Sequence, residues 1–207
     1  MQFGHLLNTI IGTPSIHAKW LNTLSFMENA GARKISASED KENVNLIILK
    51  HAAEEHRHAY YLKKQISKIG ENICETYHNQ FLLSPASSKY YLAILDVRVC
   101  KYLKKELDLM GTQLKFTAYL LVTYAIEVRA DELYPIYQQA LDDAGSKVNV
   151  KSIILEEEGH LEEMLAQLKQ FSPEWEKHAN VAINFEKQLF EEWATSLSKE
   201  ILAKKLD

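Results

Sequence analysis

Glu54-Glu55-His56-Arg57-His58 lies inside a long helical pattern, and Glu156-Glu157-Glu158-Gly159-His160 repeats its key spacing. Each stretch holds Glu-x-x-His: Glu55 with His58, and Glu157 with His160. Residues three apart on a helix share one face, about one turn apart. The carboxylate and imidazole of each pair can therefore reach one metal ion. Two such pairs on facing helices, with one further Glu from each of two more helices, build a carboxylate-bridged two-metal centre in a four-helix bundle. The chain offers Glu28 and Glu127 as the two extra glutamates. By itself the motif is weak, because 21 Glu and 8 His in 207 residues give roughly one match by chance. A third copy, Glu75 with His78, follows Gly70 in a polar stretch and reads as such a coincidence. Position has to decide.

The surrounding chain is composed for helices. Gly (7) and Pro (4) are scarce, while Leu, Glu, Lys and Ala are abundant. With 46% hydrophobic and 25% charged residues, the chain reads as one globular domain over 1–207. Its net charge of −4 gives no general attraction for a phosphate backbone, so no nucleic-acid partner is expected. No segment approaches the roughly 18 apolar residues of a membrane span. The start, Met-Gln-Phe-Gly-His-Leu-Leu, lacks the basic region, apolar run and cleavage site of an export signal. Cys74 and Cys100 stand apart without Cys-x-x-Cys spacing, which suits reduced thiols in a cytoplasmic protein and excludes a four-cysteine iron or zinc module.

Six helices are expected. The first starts near Pro14-Ser15, with Leu21, Leu24, Met27/Glu28 and Ile35 along its apolar stripe. Ala30, Gly31 and Ala32 beside Glu28 either leave room near a site or allow tight packing. The polar stretch 36–43 reads as a turn and helix start, and the second helix runs to about Ile69. Ile48, His51, Glu55, His58 and Leu62 share one face, so three polar groups fall in a stripe that should be core. Burying ionisable groups is costly unless they are paired or bind a metal. A third helix covers roughly 86–110 and closes at Gly111; a fourth covers about 113–143, with a kink expected at Pro135. Tyr124, Glu127, Asp131 and Tyr134 are read on one face of that fourth helix. The fifth covers about 148–170, and the last follows Ser172-Pro173 nearly to the end as a cover or an oligomer contact.

Spacing tests whether the six residues belong together. In an antiparallel hairpin, residues at equal depth lie equally far from the turn. The midpoint of Glu28 and Glu55 falls between 41 and 42, inside the polar turn, and that of Glu127 and Glu157 is 142, at the Asp-Asp-Ala-Gly-Ser break. Two hairpins thus repeat one pattern, a Glu on the first helix and Glu-x-x-His on the second. The helix over 86–110 would be the crossover that joins them.

Here the sequence resembles the ferritin-like di-iron carboxylate superfamily, over about 15–171. Glu54-Glu55-His56-Arg57-His58 is also similar to the acidic-Glu-x-Arg-His form of ribonucleotide reductase small subunits and bacterial multicomponent monooxygenases. The second copy keeps the acidic Glu156 but has Gly159 in place of Arg. The resemblance implies an all-α, ferritin-like four-helix bundle with a crossover helix and an additional C-terminal helix. It implies Glu28, Glu55, His58, Glu127, Glu157 and His160 as ligands, with Glu55 and Glu157 as candidates for bridging two metals. It makes Glu54, Glu156 and Arg57 supports that steady the histidines, against the plainer reading of a solvated helix face. Asp131 either tunes the site or forms a buried salt bridge. Tyr124 either donates a hydrogen bond or an electron, or simply packs. His51 reads as a core histidine satisfied by a neighbouring side chain, with a bond to a ligand or metal as the alternative.

Four carboxylates balance two divalent metals, and oxygen ligands with imidazole suit iron, or manganese, better than zinc or copper. The first functional expectation is an oxidase or oxygenase that uses O2 and two Fe to oxidise a small organic substrate. A separate reductase or ferredoxin would supply electrons, and a homodimer is a reasonable assembly. The alternatives are a ferroxidase or iron-storage protein, and a peroxide-reducing protein of the rubrerythrin or manganese-catalase kind.

Overall fold

Asn45 fixes where the second long helix begins. Its side-chain oxygen accepts from the backbone N–H groups of Ile47 and Ile48, an N-cap that satisfies two otherwise unpaired donors. The computed structural model describes residues 3–70 and 74–203. Among them the chain is all helical, without strands: α1 (Phe3–Ile11), α2 (Pro14–Ser38), α3 (Leu46–Gln65), α4 (Pro85–Leu107), α5 (Gly111–Asp143), α6 (Lys151–Phe171) and α7 (Trp175–Ala203). Two single-turn 3-10 helices, Ile66–Lys68 and Asn79–Phe81, lie between α3 and α4.

Helix α1 is absent from the sequence-based expectation. Its nine residues are too few to show a sustained period, and Leu6, Leu7 and Ile10 form one buried face. Three boundaries also differ. Helix α2 runs on to Ser38 through residues read as turn. Helix α4 ends before Asp108, which takes the left-handed conformation expected of a glycine, while Gly111 opens α5 instead. Helix α5 is a single element through Pro135, whose ring lies on its exposed side.

Four helices set the site. Helices α2 and α3 pack antiparallel, with the Ser25 hydroxyl donating to the Ala59 carbonyl at 2.6 Å. Helices α5 and α6 form the second antiparallel pair. Across the pairs, α3 meets α6 through side chains in a descending register: His51 with Glu163, Glu54 with His160 and His58 with Glu156, continued by Tyr61 with Asn149 just before α6. Helix α2 meets α5 through His17 with Tyr137 and Glu28 with Tyr134.

Helix α4 and helix α7 pack together over α5. Their core is aromatic: Trp193 stacks on Trp20 with centroids 5.6 Å apart, and its indole N–H donates to the Ser88 hydroxyl at 2.8 Å. One buried ion pair fastens α7 to α5. Arg129 grips both oxygens of Glu186, each at 2.8 Å, and Tyr91 of α4 donates to the same carboxylate. No helix of the described residues is long and apolar enough to cross a membrane.

Candidate metal centre

Helical spacing brings the motif residues inward. On α3, Ile48, His51, Glu55, His58 and Leu62 are all buried, and α6 repeats the pattern with Ile153, Glu157, His160, Met164 and Leu168. Helix α5 adds Glu127, 3% exposed, and α2 adds Glu28, which is half-buried. The six converge. Glu55, Glu127, Glu157 and His160 form one group able to hold a metal ion, and Glu28, Glu55 and His58 form another; ligand atoms within each group lie within 4.8 Å of one another.

Glu55 belongs to both groups, and its two oxygens divide between the histidines, one 3.9 Å from His58 Nδ1 and one 3.7 Å from His160 Nδ1. Glu157 divides in the same way, at 3.1 and 3.3 Å. Glu127 lies 3.6 Å from His160 Nδ1 on the other side. Both Nδ1 atoms therefore face the carboxylates.

Their opposite ring nitrogens are tied down. His58 Nε2 lies 2.7 Å from Glu156, and His160 Nε2 lies 2.7 Å from Glu54. A carboxylate only accepts, so each Nε2 carries a proton, and each Nδ1 can present a lone pair inward once a metal displaces any proton it holds. The supports are crossed between helices: the acidic residue preceding the Glu of one motif holds the histidine of the other. Arg57, half exposed, spans both supports, 2.7 Å from Glu156 and 3.6 Å from Glu54. One guanidinium serves both copies. A Cβ at Gly159 would meet nothing within 4 Å, so crowding does not demand the glycine there.

The chemistry of these donors fits a metal. His58 Nδ1 is buried and makes no hydrogen bond despite its carboxylate neighbours. Burial, then the charges of Glu28 and Glu157, pushes the Glu55 carboxyl well above its ordinary value, and burial with Glu157 does the same to Glu127. Burial works against ionisation of Glu157 too, but hydrogen bonds from Glu127 and His160 and the charge of His58 outweigh it and pull this carboxyl down. Burial opposes a charged His160, yet Glu127 and Glu157 push it up to about 11. The cluster thus holds protons where divalent cations would sit.

Not every expected residue joins it. Asp131 is exposed. Four residues carry it about 40° round the helix from Glu127, toward solvent, while seven carry Tyr134 about 20° the other way, inward. Tyr124 is half-buried and faces α7, where burial and the charge of Glu176 raise its hydroxyl. Neither residue is hydrogen-bonded or ion-paired to the cluster, and Tyr134 reaches it instead. That tyrosine is 2% exposed and donates to Glu28. Its position seven residues after Glu127 was the available signal. His51 is the satisfied core histidine expected, bonded to Tyr119 at 3.1 Å and Glu163 at 3.0 Å. The Glu75 and His78 pair is exposed.

Beside the carboxylates is a cavity of about 120 Å3, bordered by Glu28, Glu55, Glu127, Glu157 and Tyr134. Its other walls are mainly apolar, including Leu24, Met27, Val122, Ile126 and Leu133. Ala30 and Gly31 line it, and a Cβ at Gly31 would meet nothing within 4 Å, so these small residues leave space rather than close a helix contact. Compared with known protein families, with characterised proteins and with solved structures, the chain matches none.

Proposed function

We propose that the chain is a ferritin-like di-iron carboxylate enzyme, an oxidase or oxygenase that uses O2 to oxidise a small organic substrate. The observation that carries this reading is the apolar cavity ending on four candidate ligand carboxylates. A cluster used only to take iron into storage has no need of an apolar chamber beside it. Glu28, Glu55, His58, Glu127, Glu157 and His160 would hold the two metals, and Glu55 and Glu157 each lie within reach of both histidines. Two ferrous ions, when bound, supply two electrons to dioxygen together.

The chain's own residues supply the rest. Glu54 and Glu156 hold the Nε2 protons, fixing ring orientation and raising the basicity of Nδ1. Against burial, Arg57 pulls the Glu156 carboxyl below its ordinary value, and it also reaches Glu54. Tyr134 orients Glu28, the one candidate ligand that is not fully buried. The apolar wall excludes water and places a substrate carbon against the carboxylate face. Electrons for turnover would come from a separate reductase or ferredoxin.

Metal content per chain after expression with added iron, followed by anaerobic ferrous titration and O2 uptake, tests the reading. Two irons per chain, with O2 consumption that depends on an added reductant and rises with an apolar organic compound, is the expected result. Hundreds of irons per assembly would replace it with storage. Two manganese ions and rapid peroxide breakdown would replace it with a catalase. No bound metal would reduce the cluster to a buried polar network.

A further inference from the structure

The geometry points to a substrate class for this cavity: a small organic monoanion with an apolar body of about six to eight carbon atoms, its charged head held at the solvent side by Lys89 and Lys34. This rests on the proposed oxygenase reading, because it assigns the occupant of the same chamber. Size comes first. A cavity of about 120 Å3 is near the ~150 Å3 at which an apolar protein cavity takes up benzene. A ring or short branched chain fills it, and a long acyl chain does not.

Polarity then sets the direction. The inner end is carboxylate, with Glu55, Glu127 and Glu157 at 2–7% exposure. Two divalent metals would leave those four ligand carboxylates, Glu28 included, balanced, with no net attraction for an anion. Three cations also line the cavity: Lys89 is exposed, Lys34 half-buried and Arg129 more deeply set. Arg129 is held by both oxygens of Glu186, and Lys34 lies 2.8 Å from Asp96. Lys89 is exposed and donates to a neutral oxygen of Asn79 at 2.6 Å. Its charge is not matched by any carboxylate contact among the described residues. An anionic head is therefore drawn to the lysines while the apolar body points toward the metals. On α2 the six-residue step from Glu28 to Lys34 rises about 9 Å, enough to separate a reacting carbon from a head group across one ring.

Benzoate, benzamide and benzylamine, equal in shape and different in charge, are the probes, titrated calorimetrically into the metal-loaded and the metal-free full chain. Benzoate is expected to bind at least tenfold more tightly than either other probe. In the Lys34→Gln/Lys89→Gln double variant, benzoate should weaken tenfold or more and benzamide less than twofold. Gly31→Leu, which fills the chamber, should lose both ligands while still holding two metals per chain. Equal binding of the three probes, or no binding, overturns the inference. A benzoate preference that survives in the double variant also overturns it, because the head would then lie on the metals. Metal content reports separately: two irons with no lysine-dependent binding leaves the oxygenase reading standing, and lysine-dependent binding without metal leaves only the anion site.

Discussion

At the scale of single residues, the cluster that could hold a metal is a set of buried carboxylates and histidines that share protons. Glu55 shows the consequence. Burial and its carboxylate neighbours raise it above the ordinary value of 4.5, so folding without metal requires this group to take up a proton as the pH rises past that value. The folded state then binds more protons than the unfolded one, and stability falls with rising pH. Glu55→Gln removes that linkage. The variant should match the wild type near pH 4 and exceed it by several degrees in Tm at pH 8, both measured without metal, while losing two-metal binding. An equal Tm difference at both pH values would show that Glu55 is not held protonated. The crossed supports make a second prediction. Glu156→Ala strips His58 Nε2 of its partner, and Glu54→Ala does the same to His160. Each should weaken metal binding about 10- to 100-fold, in anaerobic competition titrations with a chelator. Unchanged affinity in both would reduce the pair to surface charges.

Among the elements, α7 does more than cover the bundle. Glu186, 1% exposed, is held by Arg129 of α5 and Tyr91 of α4, and all three lie beside or behind the cavity wall. Breaking a buried ion pair by removing one charge costs about 3–5 kcal/mol. Glu186→Gln should lower Tm by roughly 6–20 °C at the 2–4 °C per kcal/mol typical of this size, with two metals still bound by the folded fraction. A change under 2 °C would mean that the ion pair contributes nothing to holding α7. This element also shows where reading the sequence stops. The hairpins were legible because ligand positions and turns must agree: Glu28 and Glu55 sit at equal depth about the turn, and the structure brings both into one group. The α3 stripe from Ile48 to Leu62 was legible because three polar residues in an apolar face demand partners. No comparable signal marks Glu186, since one Glu among many on an amphipathic helix looks solvated until Arg129 arrives from 57 residues away. Asp131 failed for the opposite reason. It lies one turn from Glu127, but an error of about 40° in facing moves a carboxylate from core to solvent. Exposed Tyr90, Ile94 and Val97 on α4 show the same limit, because apolar residues there are shared between both faces.

For the whole molecule, the question is what joins the two hairpins. The α4–α7 side is closed by Trp20, Leu95, Trp193 and Leu197 around one internally balanced ion pair, Arg129 with Glu186, and needs no ligand. Between α3 and α6 the meeting residues are instead His51, Glu54, His58, Glu156, His160 and Glu163. That half of the bundle is stitched by polar groups around repelling carboxylates, and it depends on what neutralises them. Metal binding is therefore folding energy concentrated on one side. At free metal a thousandfold above Kd, one site contributes about 4 kcal/mol, which corresponds to a Tm rise of about 8–16 °C. The gain should not spread evenly. Hydrogen exchange of the metal-loaded and metal-free chain should show added protection centred on 51–60 of α3 and 154–163 of α6, with little change along α4 and α7. Uniform protection across all helices would mean that the metal acts only through global stability, and that the α3–α6 side is no weaker than the rest. Protection confined to α3 and α6 would identify the cluster as the clamp between hairpins, and would explain why the bundle keeps six ionisable groups in positions that apolar residues would fill more stably.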